Sequence, residues 1–325
     1  MRARVIGTGS YAPEKILTND DLARIVDTSD EWIQTRTGIR ERRIAADGEH
    51  TSDMALKASL RALEMAGLAP ADLDLIIVGT VTPDMPMPAC AAFLQAKLGC
   101  RAPAFDVSAA CAGSMYGLTV AEKFIRTGSA QHVLVVGAEL LSRLLDWKDR
   151  NTCVLFGDAA GAMILGVEDR PDRGILTTHL HTDGSLTDIL KIPGGGTVHP
   201  MSTEAMEQRL QFVKMSGREV FKVAVRSLAD VVLEALDACG LEKEDLDHVI
   251  PHQANIRIVE TVLDRLGVPR ERCLTNIDRF GNTSSASVPV TLDEAVRAGR
   301  IRDGELVAMM AIGAGMSWSS ALIRW

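Results

Sequence analysis

The chain has no C-x-x-C pair among its six cysteines (90, 100, 111, 153, 239 and 273), and no histidine stands at zinc-motif spacing from them. No cysteine metal site and no disulfide framework is therefore expected, and the thiols read as reduced, as in a cytosol. Blocks of like charge are also missing, so no charged interaction tail is expected. With a net charge of -8, nucleic acid is a poor partner, and an acidic macromolecule would need a local basic patch. No signal-peptide h-region opens the sequence, because Val5-Ile6 runs straight into glycine and polar residues; a cytoplasmic protein is expected. One uncharged stretch, 306–323, is long enough to raise the question of a membrane. Its Gly313, Gly315 and serine-rich second half predict two buried strands joined at a glycine turn, not a span.

What the chain does have is length and order. Its 325 residues can bury a large core and form two domains of ordinary size. A first strand is predicted over 2–10. A short helix over 28–36 has Ser29 as its cap and sets Trp32 and Arg36 one turn apart. An amphipathic helix over 51–66 has Thr51 or Ser52 as cap and Gly67 as stop. A strand buried on both faces follows at 74–79, then a helix over 89–98. The stretch FDVSAACAGSM (105–115) places Cys111 where a strand turns into a helix. Unpaired amides and the helix dipole at that position lower a thiol's pKa and offer donors to an oxyanion. A buried cysteine packing as a small hydrophobe would look the same in isolation.

The order recurs. ALEMAGLAPADLDLIIV (62–78) aligns with ALDACGLEKEDLDHVIP (235–251), with eight identities in seventeen positions. Helix, Gly-Leu stop, Asp-Leu-Asp and buried strand coincide, and the register continues beyond them. Such a repeat predicts a duplicated parallel α/β unit, with helices buried between two sheets. We set the halves at 1–170 and 171–325. The repeat places His252 at the strand end that corresponds to Gly79, and Asn282 within about one residue of the counterpart of Cys111. Ligands gather at the carboxyl ends of parallel strands, so Cys111, His252 and Asn282 are expected to converge. Cysteine, histidine and asparagine together suit acyl transfer through a thioester. A thiol hydrolase uses the same residue types in the same order, but its fold lacks the duplication. His179 and His181 fall on one face of a strand, with no third metal ligand evident in the sequence.

These residues carry a resemblance. Ala110-Cys-Ala-Gly, Pro251-His-Gln-Ala-Asn, Gly281-Asn-Thr-Ser-Ser-Ala-Ser and Gly313-Ala-Gly-Met-Ser-Trp318 together resemble the β-ketoacyl-[acyl-carrier-protein] synthase III family of the thiolase superfamily. The likeness extends to Thr28-Ser-Asp-Glu-Trp-Ile33, Arg36-Thr-Gly-Ile-Arg40 and Phe156-Gly-Asp158, and is weakest over 187–213, read only as a flexible loop. It implies the five-layered αβαβα thiolase fold, a homodimer, and condensation of acyl-CoA with malonyl-[acyl-carrier-protein], with no cofactor. Cys111 would carry the acyl group, with its own amide and that of Ala314 as the oxyanion hole; some members have glycine at 314. His252 and Asn282 would donate to the malonyl thioester. Thr28, Trp32, Arg36, Arg150, Phe221 and Asn255 would bind CoA, although Asn151 beside Arg150 replaces a glycine of some members. Leu141 and Phe156 would line the acyl pocket, and Met87 would reach in from the other subunit. Its adaptable side chain implies tolerance of primers longer or more branched than acetyl. Lys222 and Arg257 would dock the acidic carrier protein.

Overall fold

The computed structural model describes residues 2–325. β1 (Arg2–Tyr11) opens the first half. α1 (Asp30–Thr37) begins where the Ser29 hydroxyl accepts the Trp32 amide at 3.1 Å. α2 (Thr51–Ala66) keeps the expected span but not the expected cap, because His50 holds that position. Thr51 and Ser52 lie inside the first turn and spend their hydroxyls on the Thr82 carbonyl (2.5 Å) and the Asp84 carboxylate (2.6 Å). There follow β2 (Leu75–Gly79), α3 (Cys90–Leu98), β3 (Ala104–Val107), α4 (Gly113–Arg126), β4 (Val133–Glu139) and β5 (Ala159–Glu168). The second half runs through β6 (Gly174–Thr182), α5 (Gly217–Cys239), β7 (His248–Pro251), α6 (Ile256–Leu266), α7 (Ser287–Arg297), β8 (Leu306–Gly313) and β9 (Ser317–Arg324).

Two large sheets result, ordered β1-β5-β4-β2-β3 and β7-β8-β9-β6, beside two small two-stranded ones. The large sheets are mixed, not parallel as the repeat alone suggests. β2 runs parallel to β3 and β4, and β7 runs parallel to β8, but β5, β1, β9 and β6 join antiparallel. No crossover helix separates β4 from β5 or β8 from β9, and a strand that returns without one must pair antiparallel. The duplication survives in the topology: β1, β2, β4 and β5 correspond to β6, β7, β8 and β9. The counterpart of β3 is reduced to one bridge between Cys273 and Val249.

Alternation along the strands sorts the core into layers. Ile77, Val135 and Met309 face inward, where Met115 and Leu118 of α4 and Val288 and Leu292 of α7 lie between the sheets. Ile76 and Leu134 face outward onto Ala58 and Ala62 of α2 and Leu94 of α3. Ala308 and Met310 face outward onto Leu228 and Val232 of α5 and Val262 of α6. This is a five-layered αβαβα arrangement. Gly79 shows how tightly the central layer sits, because a Cβ there would lie 2.4 Å from the Gly113 carbonyl carbon. α4 can therefore start directly on the end of β2, which delivers Cys111 to the carboxyl ends of the strands. The uncharged stretch near the C-terminus forms β8 and β9, and among the described residues no helix is long and apolar enough to cross a membrane.

Candidate active site

Cys111 is held from two sides. Ala110 before it takes φ 46°, a left-handed conformation that an alanine adopts only under constraint. Gly313, at the end of β8, comes so close that a Cβ would sit 2.4 Å from the Cys111 amide nitrogen. The next residue is Ala314, which lines the same cavity as Cys111. Neither of their amides takes part in a turn or cap bond among the described residues. Cys111, Ala314, Leu141 and Phe156 line one cavity of about 230 Å³, together with Val81, Leu190, Lys191, Ile192, Val213, Ala110 and Ser284.

Asn282 and His252 do not line that cavity themselves; each is tied to elements next to it. The Asn282 backbone bridges to Phe156, and its Oδ1 accepts the Ser284 amide at 2.8 Å. That leaves its Nδ2 without a protein partner among the described residues, free to donate. The His252 amide donates to Met310 of β8 at 2.7 Å, and its Nδ1 lies 2.6 Å from the Ser287 hydroxyl at the start of α7. Burial without a counter-charge pulls the His252 ring down to about 3, so it stays neutral at physiological pH.

The electrostatics of the thiol overturn one expectation. Burial pushes Cys111 up to about 12, with Glu139 adding to the rise and the Ser284 hydroxyl opposing it. Loss of water at the sulfur thus works against the lowering expected of a helix start.

A second cluster lies apart from the cavity. The Arg36 and Arg150 guanidinium groups sit 4.7 Å and 5.3 Å from the centre of the Trp32 ring, and Arg150 also donates to Asp27. Nearby, the Thr28 hydroxyl is buried without a partner among the described residues. Arg257 lies 5.9 Å from the centre of the Phe221 ring. Asn255 caps α6 by accepting the Arg257 amide at 2.9 Å, and Lys222 is exposed. Met87 is 84% exposed and touches no part of the cavity within one chain.

Several site residues were not legible. The segment 187–213 is more than a loop: Leu190–Lys191 pairs with Lys214–Met215, and Leu190, Ile192 and Val213 form one cavity wall. Glu139, at the end of β4, is fully buried beneath Ser284. Away from the site, both histidines of β6 pair with Glu234 of α5, at 3.0 Å from His179 and 2.6 Å from His181, and among the described residues no three side chains are grouped to hold a metal ion.

Comparison with known proteins follows the same lines. A model of the 3-oxoacyl-[acyl-carrier-protein] synthase III family matches residues 105–184, and one of its C-terminal part matches 236–325. A β-ketoacyl-[acyl-carrier-protein] synthase III of Xanthomonas campestris pv. campestris is 55% identical across 99% of this chain and 98% of its own. The crystal structure of 3-oxoacyl-[acyl-carrier-protein] synthase III from Aquifex aeolicus VF5 matches with a TM-score of 0.92 and 45% identity, covering 99% of this chain and 100% of that one. The priming β-ketosynthase of the R1128 polyketide biosynthetic pathway matches with a TM-score of 0.91 and 38% identity, covering 99% of this chain and 95% of that one.

Proposed function

The chain belongs to the β-ketoacyl-[acyl-carrier-protein] synthase III family, and from that premise we propose how its residues carry out the condensation that initiates fatty acid synthesis. Acyl-CoA enters with its adenine between Trp32 and Arg150 and its phosphates toward Arg36, where Thr28 offers an unused hydroxyl. Phe221 and Asn255 flank the pantetheine arm. Cys111 Sγ attacks the thioester carbon, and the oxyanion forms against the Cys111 and Ala314 amides. CoA departs and the acyl chain lies among Leu141, Phe156 and their neighbours. Malonyl-[acyl-carrier-protein], docked through Lys222 and Arg257, then places its thioester carbonyl by His252 and Asn282. As carbon dioxide leaves, neutral donors stabilise the enolate without protonating its carbon, which attacks the acyl-cysteine and frees the 3-oxoacyl product. Acyl-CoA is a substrate, and these steps need no cofactor. A cytoplasmic homodimer divided at 1–170 and 171–325 completes the reading.

The single observation that carries it is a buried thiol that lines an apolar cavity together with Ala314, Leu141 and Phe156. Mass spectrometry after exposure to a panel of acyl-CoAs tests it. A gain of one acyl group, reduced more than about a thousandfold in rate by Cys111→Ser, is expected, and absence of any gain rejects the reading. His252→Ala and Asn282→Ala should still acylate but release no carbon dioxide from malonyl-carrier protein. The likeness to a priming polyketide synthase supports a second reading, priming of a specialised pathway, which faster turnover with that pathway's carrier would favour.

A further inference from the structure

The mechanism leaves one buried ionisable group without a role. Glu139 closes β4 directly under the cavity floor, and it is wholly screened from water. Its Oε2 accepts from the Thr82 hydroxyl at 2.7 Å, the Thr80 hydroxyl at 3.3 Å and the Val81 amide at 3.2 Å. Its Oε1 accepts from the Ser284 hydroxyl at 3.1 Å. No lysine, arginine or histidine is among the groups that set its ionisation, and Cys111 is its titratable neighbour. Ser284 shares the cavity wall with Cys111, and its hydroxyl, which donates to Glu139, opposes the rise that burial imposes on the thiol. Its backbone is held at φ 50°, a left-handed conformation that serine rarely adopts. One hydroxyl in the nucleophile's cavity wall is therefore bonded to a carboxylate that has no ion-pair partner among the described residues.

We propose that Glu139, acting through the Ser284 hydroxyl, accepts the Cys111 proton as the acyl group is loaded and returns it when the sulfur is released by condensation. The inference rests on Cys111 being the acyl-accepting thiol. In loading, Sγ forms its bond to the acyl carbon while its proton moves to the Ser284 oxygen and the Ser284 proton moves to Glu139. The carbon–sulfur bond to CoA breaks with its electron pair on CoA, which takes a proton from solvent. In condensation, the enolate carbon bonds to the acyl carbon and the Cys111 sulfur leaves with the electron pair. It regains its proton from Glu139 through the same hydroxyl. The carboxyl is thus neutral while the enolate forms close by, which removes a buried negative charge at the moment a second one develops.

His252 is the other conceivable acceptor, and it is the weaker one. Burial lifts Glu139 to about 7 against the hydrogen bonds it receives, and holds His252 near about 3. That makes the carboxylate the stronger base of the two.

The test is single-turnover loading of wild type, Glu139→Gln and Ser284→Ala with acetyl-CoA, followed by mass spectrometry from pH 5.5 to 9. Wild type is expected to load faster as pH rises, levelling off above about 7. Both variants should load at least about a hundredfold more slowly at pH 7.5, and neither should show that inflection. Iodoacetamide modification of Cys111, read over the same pH range, reports the same inflection without any acyl substrate. Far-ultraviolet dichroism checks that the variants are folded; if one is not, the other decides. Folded variants that load at the wild-type rate with the wild-type profile overturn the relay. Failure of wild type to load would instead overturn the acyl-transfer reading beneath it.

Discussion

At the scale of single residues, the site is governed by what water cannot reach. Two hydroxyls meet its buried ionisable groups, Ser284 at Glu139 and Ser287 at His252. The Gln253 amide also donates to the Ser287 oxygen, at 3.4 Å, and a Ser287 hydroxyl that donates to His252 Nδ1 would leave the ring's own proton on Nε2, the form that can donate to the malonyl thioester. Ser287→Ala should therefore keep Cys111 loading and slow carbon dioxide release from malonyl-carrier protein about tenfold, the worth of one hydrogen bond. Equal slowing of both half-reactions would show a general structural loss instead. Glu139 also leaves a mark on stability. Its carboxyl titrates near about 7 when folded, against an ordinary 4.5, so between those values the folded chain holds a proton that the unfolded chain has lost. Its contribution to stability is complete below pH 4.5 and disappears as pH rises through 7, at about 1.4 kcal/mol per pH unit. Glu139→Gln lacks that slope. Its melting temperature should gain on wild type from pH 4.5 to 7 and then hold a constant lead, whereas parallel curves would place the carboxyl in an ordinary, watered environment.

At the scale of elements, glycines decide how closely helices and strands approach. A Cβ at Gly79 would meet the Gly113 carbonyl carbon at 2.4 Å and the Ser114 amide at 2.5 Å, both backbone atoms that cannot swing away. Gly79→Ala should cost about 1–3 kcal/mol and, by pushing α4 off the end of β2, slow Cys111 loading at least about tenfold. Gly184→Ala, where nothing lies within 4 Å, is the control that should change neither melting temperature nor rate. The same glycines explain what the sequence reveals of the fold. Gly67, Gly99, Gly240 and Gly267 each end a helix in the left-handed conformation, so helix stops recur at matching places and expose the duplication. Strand direction leaves no such trace, which is why the antiparallel return of β5 goes unread. The strands at Leu190–Lys191 and Lys214–Met215 are two residues long, too short for any alternation to show. Cys111 could be found from its local setting at a helix start, but its ionisation could not, since the groups that bury it come from segments scattered along the chain. Glu139 was missed for a related reason, because an acid at a strand end reads as solvated until Thr82 and Ser284 close over it.

At the scale of the whole molecule, one edge is unfinished. β3 has a partner strand on one side only, its residues are half-buried, and the neighbouring loop leaves Met85 45% and Met87 84% exposed. A free strand edge beside large exposed apolar side chains is the usual mark of an association surface. A second copy laid on that edge would cover both methionines and bring Met87 toward the other subunit's acyl cavity. Sedimentation equilibrium should then give twice the 35.0 kDa of one chain. Peroxide footprinting at the same concentration should spare Met87 while oxidising Met201, which is 55% exposed and far from that edge in sequence. Because the partner's methionine would finish the cavity, Met87→Asp should weaken dimerisation and cut loading of octanoyl-CoA more than that of acetyl-CoA. A dimer in which Met87 oxidises as fast as Met201 would mean that the subunits meet elsewhere, and a strict acetyl preference in wild type would mean that this methionine does not widen the pocket.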